Sequence, residues 1–436
     1  MKKLLKKILF YDKFYFLLKD SLIYQLRKRL MGQLANTMYG HPSKNFFVIG
    51  VTGTNGKTTT VNLIHKILND HIAKTVMIST ANIKIGNKNL ANNKKMTSLD
   101  VFDLQSILAT AKDSWCKIAV LEASSHGLNQ YRFEWVEFDF AILTNITHDH
   151  LDFHGTMERY TKAKEKLFKY VLENKKQNKY AAFPADDKIG RQRFEDMPFD
   201  KKLSYSVIAS SSLQASNIQV STSWTTFSFT YLGKSYTIKT KLVGEFNVYN
   251  ILSALSVVLQ IGVNIDQVIQ SIESFETVTG RMEQIEHNWA HYFVDFAHSP
   301  DAIEKTLDYL NKIKWNGRLI TLFWAPGVRD KTKRPIMWAI ADQYSDILIA
   351  TDDDPDTENR LEIIEQLTMN VKNKTLGKNL FIIPERTLAI KFACKIAQPG
   401  DVLMFAGKGH ETIQLTNFGK RKWSDKEEIK KNLGIN

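Results

Sequence analysis

Lys57 and Thr58 close the run VIGVTGTNGKTTT at 48–60, in which Gly53 and Gly56 flank Thr54 and Asn55. Such a run can hold a phosphate. Glycine lets backbone N–H groups approach an anion, and a helix start adds roughly half a positive charge. The Lys57 ammonium would reach the β- and γ-phosphates of a nucleotide, and the Thr58 hydroxyl, with Thr59 behind it, would hold a Mg²⁺ ion. Val51 stands where the common phosphate-loop spacing has its first glycine, so what remains is GxxGKT. The plainer reading is a glycine turn between strand and helix. Lys-Thr at this position favours the nucleotide site.

Two further clusters hold groups of catalytic type. Glu122 opens EASSHG at 122–127, and residues 144–155 read TNITHDHLDFHG, with histidines at 148, 150 and 154. A carboxylate after a buried strand is a hard oxygen ligand for Mg²⁺; the plainer reading is a solvated strand end. A single histidine is more often structural than ligating.

These groups need a scaffold that brings them together. Residues 46–51 are apolar and β-branched, which reads as a buried parallel strand, and the helical pattern Val61, Ile64, Leu68 follows. Further apolar runs at Thr75–Ile78, 118–121 and Phe140–Leu143 alternate with helical patterns to about residue 244. That alternation predicts a mostly parallel sheet with helices on both faces, whose ligands sit at the carboxyl ends of the strands. The polar clusters fall at those ends. Residues 207–241 switch to a polar/apolar alternation, which predicts a small antiparallel excursion. A helix is predicted at 248–260, a hinge near 277–281, and a second βα series with strands near 292–296, 319–323, 347–350, 380–383 and 402–405. The expected architecture is α/β. A basic amphipathic helical segment at 1–45 precedes a central nucleotide-binding domain at 46–278 and a Rossmann-like C-terminal domain at 279–436.

The 436 residues suffice for two or three cores, and 43% hydrophobic with 24% charged residues is an ordinary soluble globular balance. Cys116 and Cys394 lack metal-ligand spacing, which fits a reducing cytoplasm and no disulfide framework. A net charge of +13 suggests acidic partners. No nucleic-acid module is recognisable, so small anionic ligands are favoured over nucleic acid. Residues 1 to about 31 carry an apolar stripe (Leu4, Ile8, Tyr11, Tyr15, Leu18, Leu22, Leu26, Leu30) among Lys2, Lys3, Lys6, Lys7, Lys13, Lys19, Arg27, Lys28 and Arg29. Asp12, Lys13, Lys19 and Asp20 interrupt it, so it does not read as a spanning helix, and no small-residue cleavage site follows. Two readings stand: a basic helix in peripheral contact with the inner membrane face, or, more plainly, helices packed on the next domain.

Taken in order, GTNGKTTT, EASSHGL, TNITHDHLDFHG, KAKEKLF, GEFNVYN, GRME, VDFAHSPDA, RDKTKRP and GKGHE resemble the Mur ligase family over about residues 46–420. The resemblance is closest to the branch that adds the third amino acid of the peptidoglycan stem. It implies an ATP-dependent amide-forming ligase of the cytoplasm. A UDP-muramoyl-dipeptide carboxylate attacks the γ-phosphate to give an acyl phosphate and ADP, and an amino-acid amine then displaces phosphate. Such chemistry needs positioning and charge neutralisation, with two Mg²⁺ ions expected.

The resemblance also implies roles. Thr58, Glu122 and His150 would be metal ligands, and His148 and His154 merely flank the last. Lys164, in KAKEK at 162–166, resembles a lysine carried as a carbamate, which turns an ammonium into a carboxylate-like Mg²⁺ ligand. On its own that run would read as a solvated helix face. Asn247 and Asn250 match asparagines near the adenine, although asparagine also caps helices. Arg281 and Asp295 match groups meeting phosphate and ribose, and His298 lies where the closed enzyme approaches the nucleotide, joining Lys57 and Lys164 as catalytic candidates. Thr97, Ser98, Ser124, Gln130 and Arg132 would hold the muramoyl-dipeptide. Arg329 would take the amino-acid carboxylate in a bidentate fork, with Asp353, Asp354, Asp356, Gly407 and Glu411 around the rest.

The chain departs from the family pattern in places. Leu99 replaces a proline, FWAPG at 323–327 replaces a glycine-rich turn, and only about 45 residues precede the loop strand. The uridine-binding domain is therefore expected to be absent or reduced to helices. DDPD at 353–356 stands where members adding meso-diaminopimelate have DNPR, whose arginine pairs with that amino acid's second carboxylate. Asp356 would repel that group and attract a side-chain ammonium, with Glu358 beside it. The expectation is a diamino acid with one carboxylate, lysine before ornithine; the alternative is that Asp356 begins a turn facing water. Folylpolyglutamate synthetases share the loop, but HDHLDFHG, RDKTKRP and GKGHE favour the muramoyl branch. A quiet, nucleotide-dependent membrane scaffold would not need Lys57, Glu122, His150 and Lys164 together.

Overall fold

The computed structural model describes residues 21–90, 92, 96–177, 179–324, 331–354, 359–368, 371–416 and 419–435. Arg329 and Asp356 lie outside these residues, as do residues 1–20 of the basic segment. Among the described residues the large sheet contains, in chain order, β1 (Phe47–Thr52), β2 (Thr75–Ile78), β3 (Ile83–Ile85), β4 (Lys88–Leu90), β5 (Ile118–Glu122) and β6 (Phe140–Leu143). It continues with β7 (Tyr180–Pro184), β8 (Lys201–Ser206), β9 (Leu213–Val220), β10 (Thr225–Tyr231) and β11 (Lys234–Thr240). Their spatial order is β11-β10-β9-β8-β7-β6-β1-β5-β2-β3-β4.

From β9 through β2 every neighbouring pair is parallel, and antiparallel hairpins extend both edges. β1 is near the middle because both its faces are apolar. Ile49 and Val51 enter one core with Val61, Ile64 and Leu68 of the helix Lys57–His71 and with Val248 and Ile251 of the helix Glu245–Val258. Val48 enters the other with Leu104 and Leu108 of the helix Val101–Asp113 and Leu167 of the helix Met157–Glu173. Two-sided burial of this kind is what a parallel strand needs.

A second sheet holds β12 (Glu283–His287), β13 (Ala290–Asp295), β14 (Leu319–Phe323), β15 (Ile347–Ala350), β16 (Leu380–Ile382) and β17 (Val402–Ala406), in the order β12-β13-β17-β14-β15-β16. Only β12 runs antiparallel to its neighbour. A separate hairpin pairs β18 (Ile413–Thr416) with β19 (Gly419–Lys422). The α/β architecture and the antiparallel excursion follow the sequence pattern. The helix predicted at 248–260 starts earlier, because Gly244 at φ 90° breaks the chain and Glu245 suits a first turn. β7, β8 and β12 were not foreseen. β8 and β12 are rich in polar residues and pair at positions their composition does not advertise.

The helix Leu22–Met38, capped by Ser21, packs Tyr24, Gly32, Ala35 and Asn36 inward. Trp135 Nε1 donates to Arg29 O at 3.0 Å, and Arg29 pairs with Glu134 at 2.9 Å. No described helix is long and apolar enough to cross a membrane.

Candidate active site

β1 delivers the chain into the glycine loop, and the loop is tight. Gly53 has φ 147°, and a Cβ there would lie 1.8 Å from Thr144 Oγ1; at Gly56, φ 84°, it would lie 2.1 Å from Asn250 Oδ1. Glycine is therefore required twice, by conformation and by space. Lys57 Nζ folds back over the loop and donates to Gly53 O at 3.0 Å and Thr54 O at 2.7 Å. Burial lowers its pKa, opposed by Glu122 and Asp149. Thr54 Oγ1 shares a hydrogen bond with Tyr160 Oη at 3.1 Å, Asn55 N donates to Asn145 Oδ1 at 2.9 Å, and Thr59 is buried in the first helical turn.

Thr58 and Glu122 come together from adjacent strand ends. The Thr58 hydroxyl lies 3.1 Å from both Glu122 carboxylate oxygens. Thr80 fixes that carboxylate through its N–H at 2.8 Å and its hydroxyl at 2.9 Å, and also reaches Thr97 Oγ1 at 3.0 Å. The proposed acceptor residues continue from there. Ser98 Oγ and Ser124 Oγ are 2.9 Å apart; Ser124 caps the helix Ser125–Asn129; Arg132 donates to Ser98 O and, at 2.6 Å, to Gln130 Oε1. Ser98, Ser124, Arg132 and Gln130 are thus joined in one hydrogen-bonded run, while Thr97 meets Thr80. Hard oxygens at Thr58 and Glu122, held by Thr80, suit Mg²⁺.

On the other side of the loop Lys164 is buried, its Nζ donating to Gly53 O at 2.6 Å and lying 4.3 Å from the Tyr160 ring centroid. Burial first, then the nearby Lys57, holds its pKa well below the ordinary ammonium value, against the pull of Asp149. The two ammonium groups share one carbonyl acceptor. His150 adopts φ 54° and sets Nε2 3.4 Å from Asp149, with its ring edge-on to His126. Burial keeps this imidazole neutral, which is the ligating form. His154 instead meets Ser125 Oγ at 3.1 Å inside the fold.

Asp149 ties the two halves of the molecule together. Lys333 of the second half reaches it at 3.0 Å, and His298 Nε2 lies 4.0 Å away. Burial alone would raise this carboxyl, but His150, Lys333 and His298 hold it below the ordinary range. His298 is itself lowered to about 4 by burial and Lys333, and its Nδ1 faces Phe296 O at 2.8 Å. A second bridge joins Asn55 Nδ2 to Asp301 at 2.7 Å. A third brings Arg281 Nη2 to within 3.4 Å of Thr58 Oγ1, with its guanidinium over the Phe296 ring.

Asn250 abuts the loop and donates to Asn247 Oδ1 at 2.9 Å, while Asn247 donates to Val243 O. Asp295 accepts from Met282 N and Ala297 N, both at 2.7 Å, so its two oxygens shape the bend that carries Arg281 and His298.

The remaining expected residues that are described form an acidic cluster. Asp353, Asp354 and Glu411 converge on the buried Lys408, at 2.8, 2.6 and 2.9 Å from its Nζ. Burial would lower that ammonium, but Asp353, Glu411 and Asp354 outweigh it and keep it charged. Gly407 has φ 98°, and a Cβ there would strike the Trp324 indole, whose Nε1 donates to Ala406 O. Thr80, Asp149, Lys333, Asp301 and Lys408 were not singled out from sequence. Each except Thr80 lies inside a conspicuous motif, but its partner is remote in the chain or belongs to another motif.

This constellation falls where the chain matches two family models, the Mur ligase middle domain over residues 51–258 and the Mur ligase, glutamate ligase domain over 280–409. The chain belongs to the Mur ligase family, whose members are ATP-dependent ligases of peptidoglycan synthesis. It is 34% identical over 415 residues to a protein of Roseiflexus sp. (strain RS-1) described as UDP-N-acetylmuramyl-tripeptide synthetase, covering 92% of this chain and 81% of that one. It is 36% identical over 388 residues to a UDP-N-acetylmuramoyl-L-alanyl-D-glutamate–2,6-diaminopimelate ligase of Halalkalibacterium halodurans, covering 89% and 78%. A solved structure of a ligase of that second description aligns with a TM-score of 0.64 at 29% identity, over 94% of this chain and 82% of the other. A Mycobacterium tuberculosis folylpolyglutamate synthase shares the fold, with a TM-score of 0.71 at 16% identity over 89% and 96%.

Proposed function

We propose that this chain is a tripeptide-synthetase-type Mur ligase that joins a diamino acid, lysine first, to a UDP-muramoyl-dipeptide. The observation that carries the reading is the meeting over one loop of Lys57, Thr58, Glu122 and, from the other half, Arg281. ATP would lie with its phosphates along residues 53–58, where incoming phosphate oxygens replace Gly53 O and Thr54 O as the partners of Lys57. Asn247 and Asn250 stand behind the loop on the adenine side. Mg²⁺ held by Thr58 and Glu122, and a second ion by His150 and a carbamate on Lys164, would neutralise phosphate charge and polarise the transferred group.

The lowered pKa of Lys164 supports the carbamate, because a neutral amine can attack carbon dioxide and release a proton. Ser98, Ser124, Gln130 and Arg132 orient the dipeptide. Its terminal carboxylate attacks the γ-phosphorus, the bond to ADP breaks, and an acyl phosphate forms. The amino-acid amine then attacks the acyl carbon, phosphate departs, and the amine loses a proton. Arg281 and His298 close over this exchange and exclude water. Asp354, Glu411 and Asp356 would receive the side-chain ammonium, and Arg329 the carboxylate. Release of ADP, measured with UDP-muramoyl-dipeptide and a panel of amino acids, tests the reading. Turnover should require all three substrates and be fastest with lysine. ATP turnover indifferent to the dipeptide would refute the assignment, and preference for meso-diaminopimelate would refute its amino-acid part.

A further inference from the structure

The helix Leu22–Met38 turns its leucines away from the protein. The residues it buries are Tyr24, Gly32, Ala35 and Asn36. Leu22, Leu26, Leu30, Leu34 and Met38 recur every fourth position, so they form one ridge along the helix. They are 80%, 57%, 56%, 57% and 67% exposed, with Ile23 beside them at 81%. Scattered apolar side chains are normal on a surface, but a contiguous row marks an interaction face.

The charge around this row says what it meets. Residues 1–31 hold basic side chains at 2, 3, 6, 7, 13, 19, 27, 28 and 29 against only Asp12 and Asp20. In the sequence, the helical spacing of Leu4, Ile8, Tyr11, Tyr15 and Leu18 runs in step into Leu22. A second copy of the chain docked here would bring two such cationic segments together. An anionic lipid surface complements both the charge and the apolar ridge. We propose that this face docks the ligase onto the surface of an anionic bilayer, the ridge entering the headgroup boundary beside Arg27 and Lys28. Arg29 still pairs with Glu134, so the helix can engage lipid without leaving the domain.

The test is co-sedimentation of the full chain with vesicles of phosphatidylcholine alone or mixed with phosphatidylglycerol. The wild type should bind the mixed vesicles at least tenfold more tightly than the neutral ones. A triple variant, Leu26→Gln with Leu30→Gln and Leu34→Gln, should lose at least tenfold of that binding while its melting temperature and ADP release stay unchanged. Should the triple variant unfold, the single Leu26→Gln and Leu30→Gln variants should each weaken binding a few-fold. Failure to bind mixed vesicles, equal binding to neutral ones, or undiminished binding by the variants would overturn the proposal. So would a concentration-dependent dimer that the triple variant dissociates, which would assign the ridge to a second copy. Loss of thermal stability in every variant without vesicle binding by the wild type would assign it to the chain's own preceding residues.

Discussion

Around the glycine loop the protein sets basic groups: the Lys57 ammonium, Arg281 from the opposite half, and Lys164, which shares Gly53 O and whose hold on a proton burial weakens. Beside Gly407 it gathers anions, with Asp353, Asp354 and Glu411 around Lys408. Each cluster is held by atoms of its own chain. Lys57 rests on two carbonyls that a phosphate would replace. The carboxylates rest on one ammonium, and burial raises the pKa of Asp353 to about 7, which leaves Asp354 and Glu411 to face a second. On our reading the first site would draw a polyanion and the second an ammonium, as a reaction that joins an acid to an amine requires.

The sharpest test of the cationic half is Lys57→Ala. On our reading it removes a charge that phosphate transfer requires, and turnover should fall about a thousandfold. Its partners are loop carbonyls rather than core groups, so the melting temperature should hardly move. Near-normal ADP release from a folded variant would end the phosphate-loop assignment. Lys164→Ala follows, with an expected loss of about a hundredfold, and added formate should restore part of it by filling the vacated ligand position. Full activity in that variant would exclude the carbamate.

In the anionic half smaller, selective effects are expected. Glu411→Gln or Asp354→Asn should raise KM for lysine about tenfold and leave KM for ATP nearly unchanged, as loss of one ion pair from a partly desolvated pocket would do. Asp356→Arg should weaken lysine use and favour an amino acid with a second carboxylate. Equal loss for lysine and an uncharged amino acid would show that the pocket reads shape rather than charge.

His65 provides a control outside both sites. Burial, helped by Lys84, lowers its pKa to about 4 from the usual 6.5. Between those values the unfolded chain binds the extra proton, so stability rises with pH across that window. The contribution is complete above about 6.5 and lost as pH falls toward 4, with a slope of up to about 1.4 kcal/mol per pH unit. Urea melts from pH 4 to 7 should show His65→Gln with a flatter acid limb; an unchanged limb would mean that other groups set it.

The two halves also differed in how far they could be read from sequence. Gly53, Gly56, Lys57 and Thr58 are contiguous, and their local chemistry already implies the geometry found. Glu122 ends β5 and His150 comes after β6, so the α/β alternation puts both at or beyond the carboxyl ends of buried strands. What stayed hidden was pairing at a distance. Asp149 lies between two conspicuous histidines, yet its partner Lys333 is 184 residues on. Asn55 meets Asp301 at a separation of 246, and nothing local to either announces it. Lys408 was visible inside GKGHE, but its role depends on Asp353 and Asp354 arriving from the end of β15. Strand β8, which reads KKLSYS, was missed because its inward residues are largely serine and tyrosine, and tertiary pairing decided its state.

Trp324, pressed against Gly407 with its N–H on Ala406 O, gives the molecule an optical reporter. It is 6% exposed, whereas Trp115, Trp289 and Trp315 are 78%, 86% and 89% exposed and already in water. Those three should emit at long wavelength and change little when ligands bind. Trp338 is fully enclosed in the core behind β14 and should be equally indifferent. A change in intrinsic fluorescence on adding an amino acid would be expected from Trp324 and from Trp423, which is 7% exposed and donates its backbone N–H to Thr412 O next to Glu411, both beside the proposed amino-acid pocket. Occupancy of that pocket could then be followed in real time, without a label and before any bond is made.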